Sequence, residues 1–379
     1  MSSAETVPHL GVDRLGETFV RLCEIPSPSG SEGHVAEYVT GELRTLGLDV
    51  TEDGTAAETG AGCGNLVARI PGPPGAATVM LCAHLDTVPV ADRIEVELED
   101  GFYRNRRETI LGADDKAGVA VLVELARRLT ERGAPAGCEL VFTAGEEVGL
   151  RGARAFDVAA LDSSFGFVLD HAAPLGRMVL AAPTYYHVHA EFLGRSAHAG
   201  ISPEHGRSAI AAAAAAIGAM QLGRIDEETT ANVGAIHGGS AANVVPEGCV
   251  IEAEVRSLDD AKASEGVRRM VDAITYAASA AEVDVDTTVE EHFRAYRIAD
   301  DHPAVGLAAA ALRDCGVNPV PTSTGGGSDA SAFEAKGFRC VNLAIGVERN
   351  HTPYEQVSRR ALETTLDVAT RLVERAAAC

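Results

Sequence analysis

Positive charge is scarce in this 379-residue sequence: 32 Lys and Arg stand against 55 Asp and Glu, a formal charge of −23. A surface that negative repels phosphate backbones and anionic lipid, so nucleic-acid and membrane-surface roles are excluded early. Paired cysteines are missing too. Cys23, Cys63, Cys82, Cys138, Cys249, Cys315, Cys340 and Cys379 are scattered with no C-x-x-C among them. That argues against a disulfide framework and a thiolate zinc site, and fits a reducing cytosol. The first ten residues have neither the basic nor the apolar region of a signal peptide. The most apolar stretch, 209–220, is too short and too rich in alanine to hold a membrane span. A soluble cytoplasmic protein is expected, with carboxylates to spare for cations.

What is present suffices for a large core: 46% of residues are hydrophobic and 23% charged, which excludes disorder as the main state. The length suggests two or three domains, or one large domain with an insertion. Helical spacing of apolar residues appears at 15–25, 33–46 and 115–131, and strand patterns at 65–70, 139–144 and 164–169. The near-continuous apolar run at 77–85 reads as a strand covered on both faces of a mostly parallel sheet. The middle changes character. Strands at 186–193, 231–237, 249–256 and 284–292, with helices at 208–220 and 261–280, describe a small α+β unit with one wet sheet face. From about 303 the first rhythm returns, with a helix at 304–315, a strand at 340–345 and a helix at 359–378. The expected fold class is therefore α/β: a mixed, mostly parallel sheet flanked by helices, interrupted by an inserted α+β domain. The catalytic parts would be 1–183 and 296–379, the insertion 184–295.

Five short segments stand where strands end, and in open α/β sheets such loops form the ligand crevice. They are His84-Leu85-Asp86, the glycine-flanked Asp114-Asp115-Lys116, Glu146-Glu147, Asp170-His171 and Asn350-His351. Imidazole and carboxylate without thiolate suit zinc, with manganese or cobalt possible. Two metals sharing one carboxylate need five ligand residues, and His84, Asp114, Glu147, Asp170 and His351 supply five. Asp86 is placed to fix the tautomer of His84. Glu146, beside a ligand but free, suits a general base. Each segment alone has a plainer reading. Asp-Asp-Lys makes a good helix cap, and Glu-Glu between glycines a solvated turn. Together on one scaffold they favour a metal site. His171, His187, His189, His205, His237 and His292 read as surface or packing residues without ligand-like company, and Lys116 as a structural partner for carboxylates.

With these residues in place, the sequence resembles the M20 family of metallopeptidases, most closely its peptidase T-like branch. The resemblance rests on Ala83-His84-Leu85-Asp86-Thr87-Val88-Pro89, Gly112-Ala113-Asp114-Asp115-Lys116, Gly145-Glu146-Glu147, Asp170 and His351-Thr352. It implies two Zn2+ ions bridged by Asp114, one held by His84 and Asp170, the other by Glu147 and His351, with Glu146 as base and Asp86 orienting His84. It also implies that the insertion is a lid and dimerisation domain with hinges near Pro183 and 294–301. There His198, in Gly194-Arg195-Ser196-Ala197-His198-Ala199-Gly200, would stabilise an oxyanion. Asn243, Arg256 and the glycine-rich Gly325-Gly326-Gly327-Ser328 loop, represented by Gly326 and Ser328, would hold substrate. True tripeptidases carry an arginine at the start of that loop where this chain has Gly325, a departure that bears on tripeptide specificity. The implied function is a dinuclear-metal hydrolase of short peptides, an aminopeptidase by preference and a possible homodimer. The rivals are an M20-type carboxypeptidase, an N-acyl-amino-acid deacylase, a binding protein without catalysis and a structural assembly protein.

Overall fold

In the computed structural model the apolar run becomes the strand Thr78–His84, buried from Val79 to His84. It pairs in parallel with Gly137–Thr143 on one side and Phe165–His171 on the other. Phe165–His171 in turn pairs in parallel with Arg339–Ala344. A strand covered on both faces has no reason to alternate, which is why this centre reads as unbroken hydrophobic runs. Antiparallel strands extend it: Leu66–Ile70 and Val50–Glu52 at one edge, Arg177–Ala182 beyond Arg339–Ala344 at the other. The sheet is thus mixed with a parallel centre. Residues 13–378 are described; the amino-terminal segment read for a signal peptide and Cys379 lie outside them.

The helix Ala113–Arg132 is buried nearly all round from Ala113 to Ala126, as a central helix must be when apolar on every face. Its one buried acid in that stretch beyond the loop, Glu124, accepts from Arg14 Nε at 2.9 Å and from the Thr18 hydroxyl at 3.2 Å. That satisfied charge locks the helix Arg14–Cys23 against it, where an unpaired one would be costly. A second, four-stranded antiparallel sheet was not legible in the sequence: Val347–Glu348, Gln356–Ser358, Phe102–Asn105 and Val96–Glu99. Strands of two to four residues are too short to show a period of two. This sheet matters because residues 349–355, the loop between two of its strands, carry His351.

By internal contacts the chain divides into two units, the second comprising Ala181–Arg297 and Thr324–Gly327, the first the rest. The insertion expected at 184–295 is therefore slightly longer, and it includes a short glycine-rich return segment. The second unit is a five-stranded antiparallel sheet in the order Gly223–Arg224, Thr229–Gly238, Gly248–Ser257, Thr184–Leu193, Asp284–Phe293. Val188, Ala190 and Phe192 alternate inwards with Cys249, Ile251, Ala253 and Val255, forming one core with the helices Ala209–Ala219 and Asp260–Ala280. The intervening residues, among them His187, His189, Glu252 and Arg256, occupy the opposite face. Among the described residues no helix is long and apolar enough to cross a membrane.

Candidate metal centre

His84 ends the central strand and is 1% exposed. Its Nδ1 lies 2.9 Å from the main-chain oxygen of Asp86. A carbonyl only accepts, so Nδ1 carries a hydrogen and Nε2 is the nitrogen turned to the site. That Nε2 faces Asp114 Oδ1 at 3.3 Å and Asp170 Oδ1 at 3.6 Å. The other oxygen of Asp114 faces His351 Nε2 at 3.2 Å, and the same nitrogen lies 2.9 Å from Glu147 Oε1. Asp114 thus stands between two imidazoles, one to each oxygen. The five ligand candidates, far apart in sequence, meet in the first unit.

Local chemistry explains each position. Gly112, at φ 74°, turns the chain in a left-handed conformation that suits glycine. Glu355 then takes the Gly112 N–H at 2.7 Å and the Asp114 N–H at 2.9 Å. The Asp114–Asp115 peptide bond is cis. Asp115 accepts the Gly118 N–H at 3.1 Å, an N-cap bond, and the His84 N–H at 3.2 Å. The cap reading is realised at this residue, while its neighbour Asp114 turns its carboxylate to His84 and His351. Asn350 donates to Asp114 Oδ2 at 2.7 Å. His351 adopts φ 61°, a left-handed conformation that costs an L-residue roughly 1–2 kcal/mol and aims its ring at Asp114 and Glu147.

Asp86 does something the sequence reading did not give it. Its carboxylate accepts the Glu146 N–H at 2.9 Å, the Glu147 N–H at 3.1 Å and the Ser29 hydroxyl at 2.7 Å. The carboxylate oxygen nearest His84 is 3.5 Å from Nδ1, farther than the main-chain oxygen. Asp86 therefore orients His84 chiefly through its backbone and ties down the Glu146-Glu147 turn with its side chain.

The electrostatics are those of a crowded, largely buried set of carboxylates and imidazoles. Burial pushes the Glu146 carboxyl well above the usual range, and Asp170 adds to the effect. Burial also pushes Asp170 up to about 8. Burial would raise Asp114 as well, yet hydrogen bonds from His351 and His84 hold it far below the usual range. His84 is held well above its ordinary value by Asp114 and Asp170 in spite of burial, and His351 is raised to about 10 by Asp114 and Glu147. Among the described residues no Lys or Arg pairs with Asp114, Glu147 or Asp170. A neutral His84 would aim a lone pair at two carboxylates, which is stable only with a positive species between them.

Donor atoms of His84, Glu146 and Glu147 converge within 4.8 Å of one another, as do those of Asp114, Glu147 and His351, and those of His84, Asp115 and Asp170. Asp115 is already engaged by two N–H groups. The remaining imidazole and carboxylate donors fit divalent cations of the zinc, manganese or cobalt kind.

The other predicted site residues fall as follows. Ser328 belongs to the first unit, 5% exposed, at the N-terminus of the helix Asp329–Ala335. His198, Asn243, Arg256 and Gly326 belong to the second. There the exposed His198 and Asn243 lie on paired segments, with the Ala199 N–H donating to the Asn243 oxygen at 2.9 Å. Arg256 lies 4.1 Å from the centre of the Tyr185 ring, pairs with Glu254 through both arms of its fork and donates to the Gly325 oxygen at 3.0 Å. The fork expected to clamp an anion is thus already occupied by Glu254.

Sequence reasoning missed Glu355 and Asp329, and gave Asn350 no contact. Glu355 is buried, which lifts its carboxyl to about 7. Asp329 is 1% exposed and accepts from the Thr143 hydroxyl, and burial lifts it to about 6. Glu355 is a single acid in a polar turn and Asp329 a single acid opening a short helix, patterns that carry no signal; Asn350 at least adjoins His351. Lys116, expected to partner carboxylates, donates instead to the hydroxyl of Ser27, which in turn bonds the Leu85 oxygen at 2.8 Å.

Comparison with known proteins places this geometry. The profile of peptidase family M20/M25/M40 matches residues 80–375. The chain is 37% identical to the uncharacterized protein YqjE of Bacillus subtilis (strain 168), covering 96% of this chain and 98% of that one. Among solved structures it is similar to aminopeptidase PepT from Bacillus cereus, with a TM-score of 0.87 at 38% identity over 96% of this chain and 98% of that one. It is likewise similar to a tripeptidase from Staphylococcus aureus, with a TM-score of 0.92 at 35% identity over 97% and 98%.

Proposed function

From the premise that this chain belongs to peptidase family M20/M25/M40, we propose that it is a dinuclear zinc aminopeptidase acting on short peptides. The observation that carries the reading is Asp114 lying between His84 and His351, with Glu146 beside them. The similarity to the PepT aminopeptidase and the tripeptidase supports the choice of substrate.

In this reading His84 and Asp170 hold one cation, Glu147 and His351 the other, and Asp114 joins them. When bound, such a pair of cations polarises the scissile carbonyl and acidifies a water. Glu146 takes the proton of the attacking water and returns it to the leaving amine; its raised affinity for protons suits that shuttle. Asp86 positions both Glu146 and Glu147 through their N–H groups. His198 stabilises the oxyanion. Asn243, Arg256, Gly326 and Ser328 hold the peptide, Arg256 exchanging Glu254 for a substrate group. The second unit, residues 184–295 in its essentials, acts as lid and dimerisation domain, with the strand Asp284–Phe293 at one end of its sheet. The enzyme works in the cytoplasm.

The test is digestion of a peptide library by zinc-loaded protein, with products read by mass spectrometry. Loss of single residues from the amino end supports the proposal. Release from the carboxyl end, or cleavage of N-acylated amino acids alone, overturns it in favour of a carboxypeptidase or a deacylase.

A further inference from the structure

His187, Glu290 and His292 correct the reading that these histidines lack ligand-like company. They lie in the second unit, on adjacent strands, His187 directly opposite Glu290 in the ladder between Thr184–Leu193 and Asp284–Phe293. The ladder slips between Glu291 and Phe293, and this irregularity falls at His292. One donor atom from each of the three lies within 4.8 Å of the others. The rings are held in place. His292 lies 4.7 Å from Tyr185 and 5.8 Å from His187, centroid to centroid. Behind His187, one oxygen of Glu252 lies 3.0 Å from its Nε2, and the other lies 2.8 Å from Nδ1 of His189. A carboxylate beside the imidazole is a common companion of a ligating histidine.

The charges agree. Glu290 and Glu252 are acids of this group, and the cations Arg256 and Arg294 are already paired with Glu254 and Glu291. We propose that His187, Glu290 and His292 form a further metal site on the helix-free face of the second unit, separate from the ligands of the first unit and taking a zinc-class divalent cation. Two imidazoles and one carboxylate from the protein leave one tetrahedral position to water or a small ligand.

The test uses the full-length holoenzyme dialysed to equilibrium against buffered Zn2+, with metal per chain measured by plasma mass spectrometry. Wild type is expected to hold one ion per chain more than His187→Ala/His292→Ala, and the peptidase activity of the two to be equal. His187→Gln/His292→Gln, closer in size, guards against disturbance of the sheet and is expected to lose the same ion. With Co2+ in place of Zn2+, wild type should show additional visible absorption that both variants lack. Equal zinc in wild type and both variants, or an extra ion that survives the substitutions, overturns the proposal.

Discussion

Glu355 holds Asp114 by its main chain: one carboxylate oxygen accepts the Asp114 N–H at 2.9 Å while the other takes the Gly112 N–H at 2.7 Å. Removing the side chain leaves both donors buried and unmet, at about 1–3 kcal/mol each. Glu355→Ala should therefore unfold at lower urea and bind metal more weakly. Glu355→Gln, which keeps one acceptor oxygen, should fall between. An alanine variant as stable as wild type would show that these bonds hold nothing in place.

Glu146→Gln separates metal binding from proton transfer. It should retain both cations by elemental analysis while turnover drops by about 10²–10⁴-fold or more, the usual contribution of a positioned acid–base group. Near-normal turnover would remove Glu146 from its role as base.

Asp114→Ala takes away a carboxylate that faces both histidines, one through each oxygen. Both cations should weaken together, since neither half keeps its shared ligand. Retention of one ion at full affinity would mean that the two half-sites are independent.

The pH dependence follows from the groups that cations must displace protons from. In the metal-free protein His351 titrates at about 10 against an ordinary 6.5, and Asp170 at about 8 against 3.8. A folded-state value above the unfolded one contributes stability that is fully present below the unfolded value and is lost as pH rises through the folded value. Both groups therefore make the metal-free protein less stable as pH increases, Asp170 between about 4 and 8 and His351 between about 6.5 and 10. Cation binding runs the other way, because it requires neutral imidazole and ionised carboxylate. The rise in Tm produced by Zn2+ should grow steadily from roughly pH 6 to 9, measured by scanning calorimetry against chelator-treated protein. A rise that is flat across this range would contradict the assignment of His351 and Asp170.

Substrate preference is read by comparing a free-amine tripeptide with an N-acylated amino acid of the same side chain. The free amine should be hydrolysed much the faster. The tripeptide should also lose its advantage over other short peptides, since Gly325 stands where tripeptidases have arginine and gives only its main-chain oxygen to Arg256.

The candidate ligand positions are legible because they end long apolar strands: His84 after 77–83 and Asp170 after 164–169 announce themselves by the runs before them. The Asp114 turn is marked by its glycine, and the second unit's alternating strands by their wet face. What remained hidden was the support. Glu355 and Asp329 act through backbone N–H groups or a single hydroxyl, contacts that leave no trace in spacing. The small sheet carrying His351 is built of strands too short for any period. Asp86 was noticed for its distance from His84, but the bonds of its carboxylate to residues 146 and 147, sixty positions on, belong to the tertiary fold alone. His187 and His292 were dismissed because their proximity arises across a ladder and not along the chain.

The second unit enters the sequence after Asp170, and His351 is synthesised only after the whole of it. A growing chain thus displays His84, Asp114, Glu147 and Asp170 long before the last imidazole exists to close the set. Any product interrupted within the insertion therefore carries the acidic residues of the candidate site without His351.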